Sequence, residues 1–163
     1  MEQARQAQFH FTSELDKACY QVSLALTQRL AGDMGGAKLT AEQARKTLEP
    51  FYGNQPDSPF LATMLSSAYA GMGEKDSALK LAEHAIMLSP RAKDAWIGPG
   101  LEESLARIQA MFGENSHAIS TLTQLLQTPF IEPITPALLR LDPIWDPLRS
   151  DPAFQKLCEE KQP

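Results

Sequence analysis

The stretch Pro59–Pro90, PFLATMLSSAYAGMGEKDSALKLAEHAIMLSP, restricts the possible folds of this chain more than any other. Leu65, Ala68, Tyr69 and Met72 recur at helical spacing, which puts them on one face of a helix. Ser58 offers a hydroxyl to the orphan amides of the first turn, and Pro59 fits there because no amide partner is missing. Gly73 ends this helix. Asp76 then reads as the cap of a second helix, with Ala78, Leu79, Ala82, Ala85, Ile86 and Leu88 as its buried stripe and Pro90 as its stop. Three alanines in that stripe let two antiparallel helices approach closely. The result is a helical hairpin with half of its apolar surface uncovered, so it has to stack on something else.

A partner unit is written further along the chain. Met72-Gly73-Glu74-x-x-x-Ala78-Leu79 is matched by Phe112-Gly113-Glu114-x-x-x-Ala118-Ile119, with Leu65 answering to Leu105, Ala70 to Ala110 and Asp76 to Ser116. Upstream, Ala44, Leu48 and Phe51 stand 34 residues before Ala78, Ala82 and Ala85, and Pro56 stands 34 before Pro90. A helix–turn–helix at a period near 34 is the mark of a solenoid. Leu65, Ser66, Tyr69, Gly73, Ala78, Ala82, Ala85 and Pro90 occupy the spaced slots of the tetratricopeptide repeat (TPR), and residues 14–129 resemble that family, most closely over 59–90. Ala62 stands where the family often has tryptophan and Ala82 where an aromatic is common. Gln109 replaces the tyrosine of the third unit, and Leu122 and Leu125 replace small residues.

Before the central hairpin, Ser13 and Asp16 mark the start of a helix over Leu15–Ala31, with residues 1–12 as a helical extension or arm. Gly32-Asp33-Met34-Gly35-Gly36 predicts a flexible inter-helix loop. A phosphate-loop reading lacks a preceding strand, and Lys38 has neither the spacing nor the Ser/Thr neighbour that reading needs. Thr40-Ala41-Glu42-Gln43 reads as a capping box for a helix to about Tyr52. After Pro90, Gly98-Pro99-Gly100 predicts a kink or loop, with the next helix starting at Leu101. Trp96 beside such a break is either a partner contact or, more ordinarily, a ring that closes the gap.

Seven of the twelve prolines lie at or after Pro129, and Asp-Pro occurs at Asp142, Asp146 and Asp151. Aspartate followed by proline starts helices, so the tail should form successive short ones, anchored by Ile144, Trp145, Leu148, Phe154 and Leu157. A solenoid's last repeat needs such a cap. The ending Leu-Asp-Pro-x-Trp-Asp-Pro-Leu-Arg-x-Asp-Pro-x-Phe resembles the ends of TPR regions in bacterial multidomain signalling proteins, among them kinases, cyclases and winged-helix regulators. That likeness implies a C-terminal portion of a larger polypeptide, or a free-standing relative of one.

A formal charge of −5 argues against a phosphate-backbone ligand, so no nucleic acid is expected as a partner. No apolar run approaches the roughly 18 residues needed to span a bilayer, so no membrane insertion is expected. The stretch MEQARQAQFHF lacks an apolar signal core, so no export signal is expected there; a cytoplasmic location is favoured, with a periplasmic one open to a membrane-anchored parent. His10, His84 and His117 are scattered without metal-ligand spacing, and His84 is expected to face solvent. Cys19 reads as a buried small hydrophobe, far from Cys158 in a solenoid. The pairs Glu102-Glu103 and Glu159-Glu160 point about 100° apart on a helix and do not converge on a substrate. We expect no enzyme, no cofactor and no metal.

The expectation is thus a single all-α domain over residues 1–163, a TPR-like right-handed superhelix of about three hairpins. Its parts are 14–56, 59–90, 93–129 with an insertion, and a Pro-rich helical C-terminal cap over 136–161. In such repeats the first helix of each unit lines the concave groove. The resemblance therefore implies a partner-binding groove of Phe60, Thr63, Met64 and Ser67, with Glu103 and Arg107, and less firmly Val22 and Leu26. Met64 is equally suited to packing against the tail. The lysines, asparagines and arginines that grip chaperone C-termini are missing from these slots in the central unit. A protein or peptide partner is expected. The alternatives are a regulatory domain acting on an attached signalling domain, or a homodimer whose groove takes a sister chain or residues 1–12.

Overall fold

The structure, a computed structural model, describes residues 11–130 and 133–159. Among them every regular element is a helix, and there is no strand. The order is α1 (Glu14–Leu30), α2 (Met34–Asn54), α3 (Pro59–Met72), α4 (Lys75–Leu88), α5 (Gly98–Met111), α6 (Asn115–Leu125), α7 (Pro136–Leu141), a 3-10 helix η1 (Pro143–Leu148) and α8 (Pro152–Glu159). Side-chain caps open several of them: Ser13 accepts from the Asp16 amide at 3.1 Å, and Ser58 from Leu61 at 3.3 Å. Thr135 accepts from Leu138 at 3.1 Å and Asp142 from Ile144 at 3.0 Å. Each satisfies a donor that the first turn leaves without an intrahelical partner.

One turn is used three times. Gly32, Gly73 and Gly113 have φ of 83°, 85° and 77°, the left-handed region that only glycine enters without a Cβ penalty. Their amides donate to Arg29, Ala70 and Ala110, and the amides of Asp33, Glu74 and Glu114 donate back to Gln28, Tyr69 and Gln109. This paired closure satisfies the last carbonyls of one helix while the chain reverses into the next. Four residues beyond Asp33, Glu74 and Glu114, the amides of Ala37, Ala78 and Ala118 donate to the carbonyls of those three, and the alanines are fully buried.

Helices adjacent in the chain pack on each other from α1 to α6, and α1, α3 and α5 also pack on one another in succession. Close approach needs small residues. A Cβ on Gly71 of α3 would lie 2.9 Å from the Ala41 Cβ and 3.3 Å from the Ala25 Cβ, so three helices meet there with no room for a methyl. Ser66 is buried on α3 and donates its hydroxyl to the Ala78 carbonyl of α4 at 2.7 Å. Tyr69 packs against the cluster that holds Ala78 and Ala82. Across the turn edge, the Arg29 guanidinium lies 5.5 Å from the Phe112 ring centroid and ties the end of α1 to the end of α5.

The tail covers the last hairpin. Ile144, Trp145, Leu148, Phe154 and Leu157 are all buried, in one cluster with Ala118, Ile119, Leu122 and Leu125 of α6. Exposing those α6 residues to water instead would forfeit roughly 1.5–3 kcal/mol for each large side chain. No helix among the described residues is long and apolar enough to cross a membrane.

Several local expectations are corrected. Gly35 and Gly36 lie inside α2, because Asp33 caps that helix by accepting from the Gly36 amide at 2.8 Å. Thr40 is accordingly mid-helix. The first hairpin aligns through its turn, Gly32 with Gly73, so the spacing is 41 residues and Ala37, Ala41 and Ala44 answer to Ala78, Ala82 and Ala85. The 34-residue match therefore does not describe the packing. Neither Asp76 nor Ser116 caps its helix: both lie inside α4 and α6, whose cap positions, Glu74 and Glu114, make no side-chain cap bond. Gly98-Pro99-Gly100 begins α5 instead of interrupting the chain, since proline in a first turn removes no hydrogen bond. Asp146 caps nothing; it sits within η1 and meets Arg149 at 2.5 Å. The predicted arm over residues 1–12 and the cap's end at 160–161 lie largely outside the described residues.

Candidate functional site

The chain between α4 and α5 is shaped by one carboxylate. Asp94 accepts from the amides of Trp96 and Ile97 at 3.0 Å each, and Ser89 donates to it at 3.2 Å. The Ile97 amide foremost, and the Trp96 amide and Ser89 after it, outweigh desolvation and hold the Asp94 carboxyl below its usual range. This turn delivers Trp96 and Ile97 to the surface at 63% and 47% exposure. The expectation that the Trp96 ring closes a gap fails, because Gly98-Pro99-Gly100 is wound into α5 and leaves no gap to fill.

Trp96 and Ile97 form one wall of a cleft of about 500 Å³, completed by Gly100, Leu101, Glu103, Ser104 and Arg107 of α5 and by Phe130. Gly100 carries no side chain, and a Cβ built there meets nothing within 4 Å, so this side of α5 stands open. Ser104 donates to the Gly100 carbonyl at 2.9 Å.

The polar end of the cleft is an organised charge cluster. Arg107 donates from Nε and Nη2 to a single oxygen of Glu103, at 2.8 and 2.6 Å, and its Nη1 lies 3.4 Å from Asp142. Its guanidinium also lies 5.5 Å from the centroid of Trp145, which is buried in the cap. Two carboxylates thus face one guanidinium. Among the described residues, the second Glu103 oxygen has no hydrogen-bond partner in the protein.

The other expected groove residues are placed differently. Phe60 is 51% exposed in the first turn of α3. Thr63 is half-buried and donates to the Pro59 carbonyl at 2.8 Å, and Ser67 is also half-buried. Met64 packs with Leu26 against the cluster of Ala18, Val22, Leu61 and Leu65, and Val22 itself is core. None of Phe60, Thr63, Met64 and Ser67 lines the cleft at Glu103 and Arg107. Sequence reasoning missed Gly100, Ser104 and Phe130 as cleft residues. The signal for this stretch was Asp94-x-Trp-Ile-Gly-Pro-Gly, a capping carboxylate two residues before a tryptophan.

A second cavity, of about 530 Å³, lies on another face, between Tyr52, Tyr69 and the α4 residues Ser77, Lys80, Leu81, Glu83, His84 and Met87. Here His84 departs from its expected place in solvent: its Nδ1 lies 2.9 Å from the Tyr52 hydroxyl. Tyr69 donates to Glu49 at 2.8 Å, and Arg45 donates to the other oxygen of that carboxylate at 2.7 Å. The two cysteines are free, Cys19 half-buried and Cys158 buried. Among the described residues, no group of three His, Cys, Asp or Glu side chains is arranged to hold a metal ion. Comparison of the chain with protein-family models, with curated proteins and with solved structures finds no match.

Proposed function

We propose that this chain is a protein-interaction module: a right-handed superhelix of three TPR-like hairpins with a helical cap, binding a segment of a partner protein. The single observation that carries the reading is the pairing of two large exposed apolar side chains, Trp96 and Ile97, with the bare backbone of Gly100 beside them. Covering the exposed part of Trp96 alone would contribute about 2 kcal/mol to binding. The charged part of the lining, Glu103 with Arg107, is a fixed ion pair, which orients a ligand more than it attracts one. Glu103 and Arg107 keep the binding role expected of them, whereas Met64 acts as packing. The recurring glycine turn and the succession of α1, α3 and α5 support the repeat reading.

The test is site-directed photocrosslinking in cells, with p-benzoylphenylalanine introduced at Ile97 and, as control, at Leu39, which is 66% exposed on α2. Adducts form from position 97, not from position 39, and Gly100→Leu suppresses them. Equal yields from the two positions, or yields from 97 that ignore Gly100→Leu, sink the reading.

A further inference from the structure

We infer that the partner segment carries a lysine or arginine next to its apolar anchor, a claim that rests on the binding role just proposed. The cleft is apolar on one side and carries the Glu103–Arg107 pair on the other. Its apolar wall, Trp96, Ile97, Leu101 and Phe130, takes an aliphatic or aromatic side chain. The charged lining is Glu103 and Arg107; behind it Asp142, which is not part of the cleft wall, lies 3.4 Å from Arg107 and adds a second carboxylate to the one guanidinium, while the nearby Glu102 is already matched by Arg91 at 3.4 Å. Arg107 is a poor anion receptor, because Nε and Nη2 already donate to Glu103, Nη1 lies 3.4 Å from Asp142 and its face lies toward the Trp145 ring. What remains unmatched is acceptor capacity, the second oxygen of Glu103. That side chain is only 15% exposed and therefore held in place, so it offers a preorganised acceptor at the cleft edge. An ammonium or guanidinium one or two residues from the anchor satisfies it, and an acidic residue there meets net negative charge. The formal charge of −5 on the chain favours encounter with the same class of partner.

The experiment is selection of random displayed peptides on the full chain, with counter-selection on Gly100→Leu to remove peptides that bind elsewhere. The recovered peptides are then synthesised and their affinities measured by fluorescence anisotropy. The expected consensus places Lys or Arg beside Leu, Phe or Trp. Replacing that basic residue with Glu in the peptide, a change that leaves the protein untouched, weakens binding by at least about fivefold, as does Glu103→Gln. Binding also weakens as salt rises. If peptides are recovered that need Gly100 but carry no basic residue, or are indifferent to Glu103→Gln and to the Lys→Glu exchange, the charge inference is wrong and the binding role stands. If no peptide depends on Gly100, the binding role itself is wrong.

Discussion

Gly98 lies against the backbone of Arg91: a Cβ on Gly98 would sit 2.6 Å from both the nitrogen and the Cα of Arg91. Two residues later, a Cβ on Gly100 would touch nothing within 4 Å. The same residue type in one tripeptide thus serves two purposes, contact with backbone that cannot yield and an open surface above the cleft.

This contrast predicts opposite signs. Gly98→Ala destabilises by about 1–3 kcal/mol, since overpacking against backbone has no flexible atom to absorb it. Gly100→Ala is neutral or stabilising by up to about 1 kcal/mol, because alanine is the better helix former. Urea denaturation followed by circular dichroism measures both, and equal losses would contradict the packing at Arg91.

The two tryptophans report separate events. Trp145 is 1% exposed and Trp96 is 63% exposed. Trp145→Phe leaves an emission that is red-shifted and readily quenched by iodide, whereas Trp96→Phe leaves one that is blue-shifted and protected. Trp145→Ala detaches the cap and costs about 3–5 kcal/mol; Trp96→Ala leaves stability within about 0.5 kcal/mol.

Ser66 joins α3 to α4 through its hydroxyl. Ser66→Ala removes the donor to the Ala78 carbonyl and costs about 1 kcal/mol, with little cavity because only one atom goes. By the spacing of the glycine turns Ser66 answers to Ala25 of α1 and Ala106 of α5, which are fully buried without such a hydroxyl, so the loss is modest. A loss beyond about 3 kcal/mol would mean that this hydroxyl holds the hairpin together.

Acid stability depends in part on Glu49. Burial works to raise its pKa, but hydrogen bonds from Arg45 and then Tyr69, with the Arg45 charge, outweigh it and hold the carboxyl below its ordinary value of 4.5. Because the folded value is the lower one, the stabilisation is present above 4.5 and is lost as pH falls through the folded value. Glu49→Gln and Tyr69→Phe both flatten this acid limb in urea midpoints measured down to about pH 3. A limb unchanged in both variants would rule out the Arg45–Glu49–Tyr69 cluster as its source.

Both thiols are expected to react slowly in the folded chain. Burial foremost raises the pKa of Cys19, reinforced by the Asp16 charge. Burial also raises that of Cys158, with Arg140 and Arg149 partly offsetting it. Ellman's reagent at about pH 8 should react slowly in buffer and rapidly in denaturant. A fast phase in buffer would show that one thiol is open.

Residues that act through their neighbours in the chain were legible from sequence alone. Ser13, Ser58 and Asp142 cap the helices that follow them, Gly73 turns left-handed, and Ile144, Trp145, Leu148, Phe154 and Leu157 bury as the expected apolar anchors of the tail. These depend on backbone geometry and apolar periodicity, both local properties. Registers and surroundings were not legible. A glycine pair reads as a loop until Asp33 reaches the Gly36 amide, and Gly-Pro-Gly reads as a break until its place in a first turn is known. The hairpin's own composition settled that this chain is helical and that its helices pair through small residues. Only the tertiary structure decided where Trp96 points and which charges meet Arg107, because exposure and electrostatic balance are set by residues distant in sequence, such as Asp142 and Phe130.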